Sequence, residues 1–128
     1  MSTRKPYRTH FKVSKKFELV GEPKAFYGTK LRRIRALRSF PGVKAGDLGG
    51  YVETEKNLDQ RGSAWIFDDG KSYDDAVVTG SAQVRDKARV FGRARIGGKV
   101  VVTGKAALGG DAAVMGEAKV VEPEQLVA

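Results

Sequence analysis

From Gly62 to Val121 the apolar and small residues recur with a period of six, without a gap. The blocks read GSAWIF, DDGKSY, DDAVVT, GSAQVR, DKARVF, GRARIG, GKVVVT, GKAALG, GDAAVM and GEAKVV. The third position is small in every block but one: Ala in eight, Gly70 in another, with Val100 in place of a small residue in the last. The fifth is aliphatic in every block but one, where Ser72 stands. The first is always Gly or Asp. Positions three and five lie two apart, so they face the same side of a short strand while their neighbours face out. Gly or Asp then accommodates a corner. Strand plus corner every six residues predicts a solenoid. Three sides close a coil of 18 residues, and ten blocks give about three coils. Each coil bonds only to its neighbours, so both ends need caps.

Upstream the pattern is less regular. Residues 1–10 are basic and polar and read as an arm. Phe11, Val13, Phe17 and Leu19 alternate as in a strand. Residues 21–30, with two Gly and a Pro, read as a turn or hairpin connection. Residues 31–37 fit strand or helix, and strand is favoured because a cap can continue the sheet of a β-solenoid. Residues 41–50 read as a loop. Val52 and Leu58 fall at position three of the downstream phase, which makes 51–60 a degenerate first coil. The predicted organisation is a basic N-terminal arm and cap over 1–50, a solenoid over 51–121 and a tail over 122–128.

The repeat resembles the hexapeptide-repeat, left-handed parallel β-helix. The left hand is implied by that resemblance, and it runs against the usual right-handed crossover. One departure is visible: many hexapeptide acyltransferases carry Gly or an acid directly after the aliphatic residue, whereas here it comes two residues later, as in Val78–Gly80 and Val90–Gly92. A narrower resemblance rests on Leu31-x-Arg33-Ile34-x-Ala36-Leu37, Phe40, the string GDLGGYVE from Gly46, EKNL from Glu55 and Gly62-x-Ala64-Trp65. This is similar to a family of phage- and prophage-encoded hexapeptide-repeat proteins of unassigned activity. The expected fold is therefore all-β, a left-handed parallel β-helix with a basic N-terminal β cap.

Charge is unevenly spread. Residues 1–48 hold 13 Lys and Arg against 3 Asp and Glu, while 49–128 hold 11 against 12, so the whole net charge of +9 sits in the first part. Arg32, Arg33, Arg35 and Arg38 form the densest cluster, and with Lys12, Lys15, Lys16, Lys24 and Lys30 they suggest one basic platform. Arginine suits phosphate or carboxylate. Residues 18 apart should stack one strand spacing away, so a second basic face gathers Lys71, Tyr73, Lys87, Arg89, Phe91 and Lys105, with Tyr73 on Phe91 and Lys71 on Arg89. Asp75, Arg93 and Asp111 form an alternating ladder read as structural.

The chemistry available is narrow. There is no Cys, and His10 is the single histidine, so thiolate zinc sites, cysteine nucleophiles and poly-imidazole metal centres are excluded. Gly46–Gly50 lacks the Lys and the strand–loop–helix setting of a phosphate loop. No apolar run is long enough to span a bilayer, and the N-terminus has no signal-type apolar stretch, which points to the cytoplasm of a bacterial host. The resemblance implies that acyltransferases of this fold use a coil-borne His as base and a long inserted loop for the acyl carrier, and that the carbonic anhydrase class needs three His. The coils here carry none. The expectation is a non-enzymatic accessory protein with no cofactor, metal or catalytic residue. It would be a counter-defence factor of the anti-CRISPR type, occupying a host protein or nucleoprotein with an acidic surface through the two basic faces. A nucleic-acid or nucleotide binder and a structural or assembly protein are the alternatives, with acyl transfer placed last. Nucleic acid and a second copy of the chain are further candidate partners; a membrane is not.

Overall fold

The computed structural model describes residues 15–121 and the backbone of 125–127. The predicted arm with His10, and Phe11, Lys12 and Val13, lie outside the described residues. The hairpin strands are β1 (Phe17–Phe26) and β2 (Thr29–Ala36), followed by β3 (Leu48–Val52) and a 3-10 turn, Glu55–Asn57. The coils then supply β4 (Trp65–Ile66), β5 (Lys71–Ser72), β6 (Val77–Val78), β7 (Gln83–Val84), β8 (Arg89–Val90) and β9 (Arg95–Ile96). They continue with β10 (Val101–Thr103), β11 (Ala107–Gly109), β12 (Ala113–Val114), β13 (Lys119–Val121) and β14 (Gln125–Val127).

Every third coil strand joins the same sheet. The first sheet runs β1-β2-β3-β5-β8-β11-β14, the second β4-β7-β10-β13 and the third β6-β9-β12. From β3 onward the pairings are parallel and in an 18-residue register, as in Lys71↔Arg89↔Ala107, with a 20-residue step between β3 and β5. The fold is thus an all-β, three-sided parallel solenoid of about four turns. Among the described residues no helix is long and apolar enough to cross a membrane.

The block pattern has a direct geometric meaning. The position-three residues from Ala64 to Ala106 and the position-five residues from Ile66 to Leu108 that are apolar are sealed from solvent. Each such Val or Ile side chain contributes about 1.5–3 kcal/mol by burial. Position one lies between φ 55° and 89° in all ten blocks, from Gly62 to Gly116. That left-handed backbone is open to Gly and tolerated by Asp. Position three closes the corner by donating its N–H three residues back, as in Ala76 to Tyr73 and Ala88 to Arg85. The other strand amides reach the next coil: Lys71 donates to the Ala88 carbonyl and Arg89 to that of Ala106. Where Asp holds the corner, its carboxylate accepts the corner amide one coil on, as Asp86 does from Gly104 at 2.9 Å and Asp74 from Gly92 at 3.1 Å.

The cap extends the first sheet. β1 and β2 form an antiparallel hairpin and β2 pairs antiparallel with β3, as a strand reading of 31–37 predicts. Phe17, Ile34 and Phe40 close the end of the core, with Phe17 and Phe40 edge-on to the buried Trp65 at 6.4 and 5.4 Å. One register expectation is corrected. Val52 and Leu58 pair with Ser72 and Val78, so they occupy the position-five column, not position three. Two extra residues between Leu58 and Ala64 account for the slip: those pairings span 20 residues, whereas Trp65↔Gln83 spans 18.

Two buried polar residues join cap to coils. Asn57, 1% exposed, accepts from the N–H of Glu53 and Thr54 and donates to the carbonyls of Asp74 and Ala76. Ser72, the exception at position five, donates to the Asn57 carbonyl at 3.0 Å. Lys16 is also inside, so it is no part of a surface platform. Its Nζ donates to the Ala64 carbonyl at 2.7 Å, with the carbonyls of Arg61 and Gly62 at 3.4 and 3.5 Å. Burial lowers its pKa to about 8, against an opposing pull from Asp59.

Candidate functional site

The first sheet carries the chemistry on its outer face. Strand alternation places Tyr51, Lys71 and Arg89 in one column and Glu53, Tyr73 and Phe91 in the next. The predicted ladder forms: Tyr73 and Phe91 stack at 5.5 Å with their planes 12° apart, and Lys71 lies in register with Arg89. Arg89 also donates to the Tyr73 hydroxyl at 3.1 Å. Desolvation raises the Tyr73 pKa, opposed by that hydrogen bond. Lys87 and Lys105 stand at the adjoining corner, beside Asp68 and Asp86.

The hairpin tip folds onto this face, which the sequence pattern did not reveal. Phe26 meets Tyr73 edge-on at 5.6 Å and lies under Lys71 Nζ at 4.9 Å, while Arg89 sits over Tyr27 at 5.4 Å. The tip needs Tyr27 and Gly28 at positive φ, 47° and 80°. Between tip and sheet lies a groove of about 220 Å³, walled by Lys24, Phe26, Leu31, Tyr51, Asp69 and Lys71.

The four arginines are held within the cap. Arg32 donates to the carbonyls of Gly21 and Leu19, Arg35 pairs with Glu18, and Arg38 donates to the Gln60 carbonyl at 2.9 Å. Arg33 reaches the Asp68 carbonyl and the Asp69 carboxylate and lies over the Tyr51 ring at 4.7 Å. Arg33 therefore belongs with the first-sheet face, while the other three brace β1, β2 and the loop before Ala64. Lys15 pairs with Glu55 at 3.2 Å.

A wider cleft of about 650 Å³ opens at the corner between the first and third sheets. Glu53, Asp74 and Asp75 bring carboxylates to it, Lys56 and Arg93 bring cations, and Ala76, Val77 and Gly92 form part of its wall. Glu53 accepts the Asp74 N–H at 2.8 Å, and Arg93 holds Asp111 through two nitrogens, at 2.7 and 3.0 Å. Glu53 lies two residues beyond Tyr51, just past the end of β3 and about 7 Å farther along the chain. The cleft and the groove are thus neighbours. Such a cleft offers a base for an acceptor's proton and cations for a developing oxyanion. No cluster able to hold a metal ion occurs among the described residues.

No family model matches the chain. A protein of Escherichia coli (strain K12), named an uncharacterized acetyltransferase, YdcK, is 37% identical over 76 residues. The match covers 52% of this chain and 23% of that protein, so the chain spans less than a quarter of the length of the curated relative it matches. This finding overturns two expectations: the non-enzymatic counter-defence factor acting on a host macromolecule, and the absence of enzyme activity. The error lay in equating coils without histidine with coils without a base. A carboxylate can also take the acceptor's proton, and a thioester is already activated toward attack, so positioning supplies much of the remaining barrier reduction.

Proposed function

We propose that this chain is an acyl-transfer module of the hexapeptide-repeat kind, moving an acetyl group from a thioester donor to an amine or hydroxyl acceptor. The observation that carries the reading is the similarity to a protein named an acetyltransferase, on a chain that folds as a parallel β-solenoid. The corner cleft is the proposed reaction site. There Glu53 or Asp75 takes the proton from the acceptor as its nitrogen or oxygen bonds to the acetyl carbon. The carbon–sulfur bond breaks, and the thiolate leaves with its electron pair and collects a proton. Lys56 stands where it can favour the oxyanion of the tetrahedral intermediate. The GDLGGYVE and EKNL strings support the proposed kinship with phage- and prophage-encoded repeat proteins.

The test is thiol release from acetyl-coenzyme A across a panel of amine and sugar-hydroxyl acceptors. An acceptor-dependent release should fall by about 10²–10⁴ when the base is removed by Glu53→Gln or Asp75→Asn. Release no faster than without protein, for every acceptor, overturns the reading.

A further inference from the structure

We propose that the groove between the hairpin tip and the first sheet binds a small phosphate-bearing anion, with Lys24 and Lys71 as its ligands and Arg33 supporting them. This stands independently of the acyl-transfer reading. Three cations surround one ring: Arg33, Lys24 and Lys71 lie 4.7, 5.6 and 5.6 Å from the centre of Tyr51. Arg89 adds a fourth positive charge in register beside Lys71. The carboxylate within this group is Asp69, 3.4 Å from Arg33 and more than half exposed.

Burial and the neighbouring charges act together on this group. Burial lowers the Lys71 pKa below its ordinary value; Asp69 opposes this, and Arg89, Lys87 and Arg33 push it further down. Arg33 Nε is shut off from solvent with no acceptor in reach. A buried donor without a partner is rare in a folded protein. Like charges gathered this closely disfavour the empty groove, and an entering anion removes the penalty.

Geometry selects the kind of anion. Lys24 on β1 and Arg33 on β2 come from one side of the Tyr51 strand and Lys71 on β5 from the other, so they flank the groove rather than line up on one strand. A tetrahedral group with several oxygens meets such donors better than a planar carboxylate, whose two oxygens lie in one plane. The volume of about 220 Å³ suits one or two phosphate groups.

Titration calorimetry of the whole chain at low ionic strength tests this, with pyrophosphate as probe. Binding at one site is expected, weakening as salt is added. Lys71→Gln and Lys24→Gln should each weaken it about tenfold, the loss of one charge-assisted contact. Asp69→Asn should tighten it, and Lys99→Gln, an exposed lysine on another corner, should leave it unchanged. Lys24 is itself exposed, so its variant keeps the test valid if Lys71→Gln unfolds. Inorganic phosphate and a nucleoside diphosphate distinguish a free anion from a nucleotide-borne one; tighter binding of either supports the site and names its source. Failure of all three to bind, or full affinity in both lysine variants, overturns the proposal. So does tighter binding of an oligonucleotide lacking terminal phosphates, which would make the face a nucleic-acid surface.

Discussion

Asn57→Asp replaces one atom group in a buried residue and separates its donors from its acceptor. The variant keeps an oxygen for the Glu53 and Thr54 amides, at 3.1 and 2.8 Å. It loses the NH2 that serves the Asp74 and Ala76 carbonyls, at 3.0 and 2.9 Å, and turns a second oxygen toward them. At 1% exposure a carboxylate there resists ionising, and keeping the carboxyl protonated at pH 7, where the unfolded chain releases the proton, costs about 4 kcal/mol. When protonated it donates one hydrogen bond where the amide donated two, a loss of about 1 kcal/mol. The destabilisation should therefore be about 5 kcal/mol at pH 7 and approach about 1 kcal/mol in acid. The sign follows from linkage: the folded variant holds a proton that the unfolded chain releases, so stability falls as pH rises. Urea unfolding of wild type and variant in parallel, at several pH values, isolates the difference. Equal midpoints at pH 7, or a difference independent of pH, would show that Asn57 does not bridge cap and coils.

Three further outcomes test the coils and the cap. Ala88→Leu should over-pack the core beside Val90 and cost about 1–3 kcal/mol, seen as a lowered melting temperature; an unchanged value would place position three outside the core. Asp86→Val puts a branched residue at φ 56° and removes the 2.9 Å contact to Gly104, so chemical denaturation should show a loss of about 2 kcal/mol, with Asp86→Gly milder. Lys16 sits folded at a pKa of about 8 against 10.5, so between those values the unfolded chain binds more protons and wild-type stability should rise with pH, by up to about 3 kcal/mol. Lys16→Met should lack that rise in parallel urea titrations at pH 8 and pH 10.

The solenoid was legible because its pattern is written in residue size. Small at three, aliphatic at five and Gly or Asp at one are each demanded by a different steric fact, and across ten blocks only Val100 and Ser72 depart from them. The two-residue slip after Leu58 was not legible for an equally physical reason. A shift of two keeps every side chain on its own face, and Val or Leu suits either inward position. Ser72 reads as an irregularity in the sequence, and its hydrogen bond to the Asn57 carbonyl explains it. The tyrosine–phenylalanine ladder was visible from the 18-residue spacing, but the hairpin tip lying across it was not, since no local pattern encodes that contact. Charge density likewise marked Arg32 to Arg38 without saying that Glu18, Gln60 and nearby carbonyls already engage three of the four.

The hairpin tip also changes how the molecule comes apart. In a solenoid each layer touches the next alone, so unfolding can proceed from an end one layer at a time. Here Leu31 and Ile34 sit in the cap, Phe26 reaches Tyr73 at the end of β5, and Tyr27 reaches Arg89 on β8. One short loop thus touches layers that do not adjoin the cap. It ties β2, β3, β5 and β8 as a binding ties the pages of a book, so the cap end opens only when several layers loosen together, while fraying is left to the far end.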